Sequence, residues 1–403
     1  MSDANTPVLL AYSGGLDTSF CIPWLKEHLD CPVITITVNT GGIDDAHAKD
    51  LEERAMALGA EAHHLIDARE NFFNAVIRYL IAGNVKRGQL YPLCVGAERG
   101  VQAAVMASVA QKSGASRIAH GCTAAGNDQV RFEVALNALA PDVEVLAPVR
   151  DNSWAREDQL AYLAKDNLPL PPAGSDYSIN RGLWGVTIGG QETLTSEGSI
   201  PESAWVLSAG ALTKPVEKSS HTLSFEQGVP VALDGQREDA VALVERLELL
   251  GAQFGIGRGI HLGDTILGTK GRVAFEAPAA EILIETHREL EKLTLSGLQS
   301  RIKEQVAASY GDFIHESKQL DPVCRDIEAL LTSSQQTVSG EVHFELSSGC
   351  LFVTGVSSDY SLLAATKGVY GEAAGEWTPA DARGFARVMS LPGILQQRAR
   401  SGS

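Results

Sequence analysis

The chain has 403 residues, 44% of them hydrophobic and 21% charged, so it can bury more than one core and is not a disordered polymer. With 50 acidic residues against 33 basic ones the net charge is −17, which disfavours a standing complex with nucleic acid, a polyanion held through Lys and Arg. The opening "MSDANTP" is polar rather than a signal peptide, and no segment reaches the ~18 apolar residues of a membrane span, so the reading is a cytoplasmic protein without membrane or nucleic-acid partners.

From the N-terminus, strands and helices alternate. "VLLAY" (8–12) is a short apolar strand, and "DTSFCIPWLKEHL" (17–29) is helical. "PVITITVNT" (32–40) is β-branched, and "DDAHAKDLEERAMALG" (44–59) is an amphipathic helix stopped by Gly59. The scheme repeats in "AEAHHLIDA" and "NFFNAVIRYLIAG", and again in "RGVQAAVMASVAQKSGA", "SRIAHGCT" and "NDQVRFEVALNALAP". "VEVLAPV" and "REDQLAYLAKDNL" close the alternation, which predicts a parallel sheet covered on both faces. The Pro/Gly cluster from Pro169 to Gly174 marks the expected boundary.

Beyond it the pattern is mixed. "TLSFEQGVPVALDG" and "DTILGTKGRVAFEA" read as paired strands, and "REDAVALVERLELLGAQF", "AAEILIETHRELEKLTLS" and "LQSRIKEQVAASYGD" as helices. "SGEVHFELSSGCLFVTGVS" has the period-two alternation of a hairpin. "TPADARGFARVMSLPGILQQRAR" opens on a capping Thr and carries apolar residues at helical spacing. The predicted organisation is therefore residues 1–168, 169–377 and a C-terminal helix and tail, 378–403. The six cysteines show no CxxC pair and no zinc spacing, so they read as buried thiols, and no metal ligands are assigned.

Two stretches carry chemistry. "AYSGGLDTS" (11–19) lies between the first strand and the first helix. Free backbone N–H groups and the positive end of the helix dipole suit an anion there. Gly14 and Gly15 let the backbone turn and approach it, and Ser13, Thr18 and Ser19 add hydroxyls. No Gly-Lys-[Ser/Thr] follows, so this is not a Walker A loop, nor is it a GxGxxG dinucleotide turn. The second stretch, "AHGCTAAGNDQVRFE" (119–133), sets Thr123, Asn127, Asp128 and Arg131 at another strand–helix edge. Asn127 and Arg131 share a helix face, where an amide and a guanidinium fork suit a carboxylate or a ureido oxygen.

The first motif resembles the pyrophosphate loop of ATP pyrophosphatases, and both together resemble the argininosuccinate synthase family. "LYPLCVGAER", "YSINRGLWG", "FEQGVPVALDG", "GIGR", "HRELEKLTL" and "DARGFARVMSLP" extend the likeness over nearly the whole chain. The resemblance implies an α/β fold, with an N-terminal parallel-sheet nucleotide-binding domain (adenine nucleotide alpha hydrolase-like), an α+β synthetase domain and a C-terminal oligomerisation helix in a homotetramer. It implies ligation of citrulline and aspartate through a citrullyl adenylate, with ATP carrying Mg2+ on its phosphates. By motif match, Ala11, Tyr12, Ser13, Gly14, Gly15, Leu16, Asp17, Thr18, Ser19, Val38 and Gly121 would hold ATP. Thr123, Asn127 and Asp128 would receive aspartate, and Tyr91, Asn127, Arg131, Ser178 and Thr187 citrulline.

The match departs from the family around the substrates. Ala124-Ala125 stand where the family has Gly-Lys, and Val95 and Gly96 where it has hydroxyl residues. Gly263 replaces a glutamate and Phe275 a tyrosine, the residues that would face the amino-acid end of citrulline. Three readings stay open here: citrulline held by other residues, a citrulline acylated on its amine, or weakened or lost activity in a nucleotide-binding relative. A tRNA-modifying pyrophosphatase fits poorly, for want of a basic tract and paired catalytic cysteines.

Overall fold

The computed structural model describes residues 6–170, 177–213 and 216–402, so most of the Pro169–Gly174 boundary lies outside the described residues. The N-terminal part is the expected parallel sheet: β1 (Val8–Ala11), β2 (Val33–Asn39), β3 (Ala62–Asp67), β4 (Arg117–His120) and β5 (Glu144–Leu146), in the order 3-2-1-4-5. Its helices are α1 (Leu16–Leu29), α2 (Asp45–Ala57), α3 (Arg69–Phe72), α4 (Arg78–Ala82), α5 (Arg99–Ser113), α6 (Asp128–Leu139), α7 (Pro148–Asp151) and α8 (Arg156–Lys165). A π-helical turn, Phe73–Ile77, joins α3 to α4 within the stretch expected as one helix. Strand order reverses at β1, whose neighbours are β2 and β4. A crevice at the carboxyl ends of these strands is where such sheets bind ligands.

Two antiparallel sheets follow. One has the order β11-β12-β7-β6, from β6 (Ser178–Gly182), β7 (Gly185–Gly189), β11 (Arg258–Asp264) and β12 (Lys270–Glu276). The other, β10-β9-β8-β13-β14, comprises β8 (Ser219–Glu226), β9 (Val229–Leu233), β10 (Gln236–Arg237), β13 (Gly340–Ser347) and β14 (Cys350–Ser357). Of the helices α9 (Ala240–Gln253), α10 (Pro278–Thr294), α11 (Gly297–His315) and α12 (Pro322–Ser334), α9 packs on β9 and α10 on β13, β14 and β7. Helices α11 and α12 pack on each other, α11 also on α10 and α12 on α4. The hairpin expected in "DTILGTKGRVAFEA" starts earlier: β11 begins at Arg258, and Thr265–Thr269 is the turn, closed by the Thr265 N–H donating to the Thr269 carbonyl (2.7 Å). Gly259 and Gly263 dilute the strand signal of β11.

The largest hydrophobic core runs through both parts, from Phe72 and Leu80 to Leu283 and Phe344. Trp184, 1% exposed, sits in it and donates its indole N–H to the Pro92 carbonyl (2.8 Å). After the short α13 (Leu362–Ala365), the chain ends in α14 (Pro379–Ser401), started by a Thr378–Asp381 capping box. No residue of α14 is buried, and Phe385, Val388, Met389 and Leu395 are exposed. No helix among the described residues is long and apolar enough to cross a membrane. All six cysteines are free thiols, but Cys350 is exposed and Cys122 half-buried, against the expectation of uniform burial.

Candidate functional site

A cleft of about 740 Å³ opens at the carboxyl ends of β1, β2 and β4 and is closed on one side by β6. Ala11, Tyr12, Ser13, Gly15, Asp17, Thr18, Val38, Gly121, Thr123, Asn127, Asp128, Arg131 and Ser178 line it, so both motifs meet in one space. Gly14, Leu16 and Ser19 lie behind the lining, and Leu16 and Ser19 are buried in α1.

The two glycines of the first motif have different tasks. Gly14 has φ +73°, and a Cβ there would lie 2.4 Å from Leu51 Cδ2 and 2.8 Å from Arg54 Nη2. Its carbonyl accepts a hydrogen bond from Arg54 Nη1 (3.0 Å), which fastens the turn to α2. Gly15 caps α1 in an ordinary extended conformation without a side-chain hydrogen bond, and it faces the cleft. The first-turn N–H groups of α1 are thus offered to a ligand rather than to a cap. Thr18 Oγ1 accepts from the Ser13 N–H (3.3 Å) and donates to the Gly15 carbonyl (3.3 Å), folding the loop on itself. At Gly121 a Cβ would sit 2.9 Å from the Thr18 N atom, so the second motif packs directly on the first turn of α1.

The second motif is a charge network. Asp128 accepts from Arg131 Nη1 (2.8 Å) and from Arg99 Nε (3.0 Å). Burial works to raise the Asp128 carboxyl, but the two guanidinium groups outweigh it and hold it at about 2. Arg131 also donates to the His315 carbonyl (2.8 Å) and meets His315 Nδ1 (3.1 Å). Burial, reinforced by Arg131, pushes His315 down to about 3, so it is a neutral acceptor towards Arg131. The Arg131 fork, expected to grasp a carboxylate, is therefore largely engaged by the protein. Asn127 Oδ1 accepts from the Ile266 N–H (3.0 Å), so the β11–β12 turn closes over the start of α6. Cys122 lines the cleft, and burial pushes its thiol up to about 12, which leaves no thiolate for sulfur chemistry.

Tyr91 and Thr187 do not line the cleft. The Tyr91 hydroxyl donates to the Cys94 carbonyl (2.5 Å), and its ring stacks on His261 (5.3 Å) and meets Phe275 edge-on (5.2 Å). Thr187 pairs with Phe275 and Asn180 in the β11-β12-β7-β6 sheet. The substituted positions gather around the same wall: a Cβ on Gly96 would lie 3.1 Å from Arg131, and one on Gly263 would lie 2.5 Å from His261 Nε2. Sequence reasoning missed Thr40, Glu98, Arg99, Gln102, Asn180 and Arg181, all of which line the cleft. The signal was the adjacent Glu98-Arg99 at the end of an otherwise uncharged run from Leu90 to Ala97.

Known families match both parts of the chain. The description "Arginosuccinate synthase N-terminal HUP domain" fits residues 7–169, and that family's C-terminal domain fits residues 177–395. The chain belongs to the argininosuccinate synthase family. It is 36% identical over 398 residues to the argininosuccinate synthase of Dehalococcoides mccartyi (strain CBDB1), covering 96% of this chain and 95% of that one. The argininosuccinate synthases of Sulfurisphaera tokodaii and Saccharolobus solfataricus are 34% and 35% identical, each over 98% of this chain and 99% of the relative.

Proposed function

We propose that this member of the family joins citrulline to aspartate in an ATP-consuming ligation, giving argininosuccinate, AMP and pyrophosphate. The observation that carries the reading is the convergence of the Ser13–Ser19 loop and the Thr123–Arg131 segment on one cleft. The ureido oxygen of citrulline attacks the α-phosphorus, the Pα–O–Pβ bridge breaks and pyrophosphate leaves onto the amides at the start of α1. The aspartate amine then forms the C–N bond as the C–O bond to AMP breaks. The chain contributes in-line positioning, donors for phosphate charge and a cleft walled by β6.

In this reading Thr123, Asn127 and Asp128 would take aspartate, Ser178 and what remains open of Arg131 would bound citrulline, and Val38 and Gly121 would flank the nucleotide; their shared lining of the cleft supports it. Magnesium would ride on the phosphates, with Asp17 the nearby carboxylate of the loop, one of whose oxygens is already bonded by Gln159 (2.9 Å). When bound, it would offset phosphate charge. The relatives described above are named synthases, and the substituted Gly96, Gly263 and Phe275 lie outside the cleft lining. An acylated substrate or a non-catalytic relative therefore gains no supporting observation. The bare apolar residues of α14 support a homotetramer in which that helix packs on a neighbouring subunit. We place the enzyme in the cytoplasm. Incubation with ATP, citrulline and aspartate is expected to release AMP and pyrophosphate in equal amounts, and neither without citrulline. ATP binding with no turnover would contradict the proposal.

A further inference from the structure

Glu98 stands at the start of α5, 2% exposed, and is one of the residues lining the cleft. Its Oε2 accepts from the Thr40 hydroxyl at the end of β2 (2.5 Å), and Gln102 donates to the same hydroxyl (2.9 Å). On the other side Arg99 lies between two carboxylates. It is 3.0 Å from Asp128 but 3.4 Å from Glu98 Oε1, so Asp128 takes the close ion pair. From β6, Gly182 presents no side chain. A Cβ there would lie 2.3 Å from Glu98 Oε2, so the absence of one makes room for the carboxylate. Cys94 is a further titratable group near it.

We propose that Glu98 is a further catalytic residue, the proton acceptor for the amine that attacks the adenylate. The inference rests on the ligase reading above. Two carboxylates share one guanidinium and are driven apart in acidity, which is how a site assigns one to binding and the other to proton transfer. Asp128, with two guanidinium partners, stays ionised and suits an ammonium. Glu98 is raised to about 7, chiefly by burial, with Arg99 and the Thr40 hydroxyl pulling the other way. The aspartate ammonium loses one N–H proton to a Glu98 oxygen. The freed pair forms the C–N bond while the C–O bond to AMP breaks, and the second N–H proton leaves with the AMP phosphate. Argininosuccinate retains the guanidinium charge, and Glu98 returns its proton to solvent when products leave.

The test separates the half-reactions. Exchange of labelled pyrophosphate into ATP, with citrulline and without aspartate, reads adenylation, and argininosuccinate formation reads ligation. In Glu98→Gln, ligation at neutral pH should fall on the order of 10²–10⁴-fold while exchange stays within about threefold. The variant's ligation rate should also keep rising with pH through the region where the wild type levels off. Ligation unchanged overturns the proposal, and so does an equal loss of both half-reactions. Should Glu98→Gln not fold, the wild-type chain decides. Ligation but not exchange must show an acidic limb with an apparent pKa near 7, and a limb in neither or in both overturns the role. Absence of citrulline-dependent exchange in the wild type would sink the ligase reading itself, a distinct failure.

Discussion

Replacing Gly14 by Ala tests whether the first motif is held by backbone geometry. The residue has φ +73°, where an L side chain is strained by about 1–2 kcal/mol. The new methyl would also lie 2.4 Å from Leu51 and 2.8 Å from Arg54, and overpacking of this kind costs typically ~1–3 kcal/mol. Together the two effects come to roughly 2–5 kcal/mol. Part of that is relieved if the loop swings away from α2, which moves the amides the phosphates need. Gly15→Ala is the control, because φ is −72° and the nearest atom to a Cβ is Ser13 Oγ at 3.5 Å. Calorimetry and steady-state kinetics should show Gly14→Ala with a lower unfolding temperature and a raised KM for ATP. Gly15→Ala should keep its stability to within about 0.5 kcal/mol and raise KM alone. Gly14→Ala with wild-type stability and wild-type KM would refute the reasoning.

Asp128 supplies a pH prediction. Its carboxyl is held at about 2 against an ordinary 3.8, so its stabilisation is complete above the higher value and is lost as pH falls through the lower. Asp128→Asn should flatten the acid-unfolding curve between those two values, as followed by circular dichroism. Lys303→Met leaves the Glu291 carboxylate, 3% exposed and 2.7 Å from that ammonium, without its ion pair. About 3–5 kcal/mol of stability should disappear in urea unfolding, and a change below about 1 kcal/mol would mean the pair is dispensable. Deleting residues from Thr378 onward removes α14, whose residues are all unburied. Light scattering should then report a smaller assembly, whereas an unchanged mass would deny the helix a role between subunits.

The alternation of the first 168 residues was readable because each β-branched run and each amphipathic run carries its own period. The hairpin β6–β7 was not, since "SINRGLWGVTIG" mixes glycines and charges and takes its strand pairing from β12. Helix α12 escaped although Asp321 caps it and Pro322 opens it. At the site, Ser13 to Thr18 and Thr123 to Arg131 were legible as motifs because their chemistry is local. Glu98 and Arg99 depend on partners at positions 40, 128 and 180, and such distant neighbours leave no spacing to read. The free Arg131 fork was expected for the same reason: His315, 184 positions away, was invisible.

The central claim is that the ureido oxygen of citrulline is activated as an adenylate in this cleft. Citrulline labelled with heavy oxygen at the ureido group tests it directly, by mass spectrometry of the products. The account predicts the label in the phosphate of AMP, with none in pyrophosphate. Unlabelled AMP, or label recovered in pyrophosphate, would contradict it.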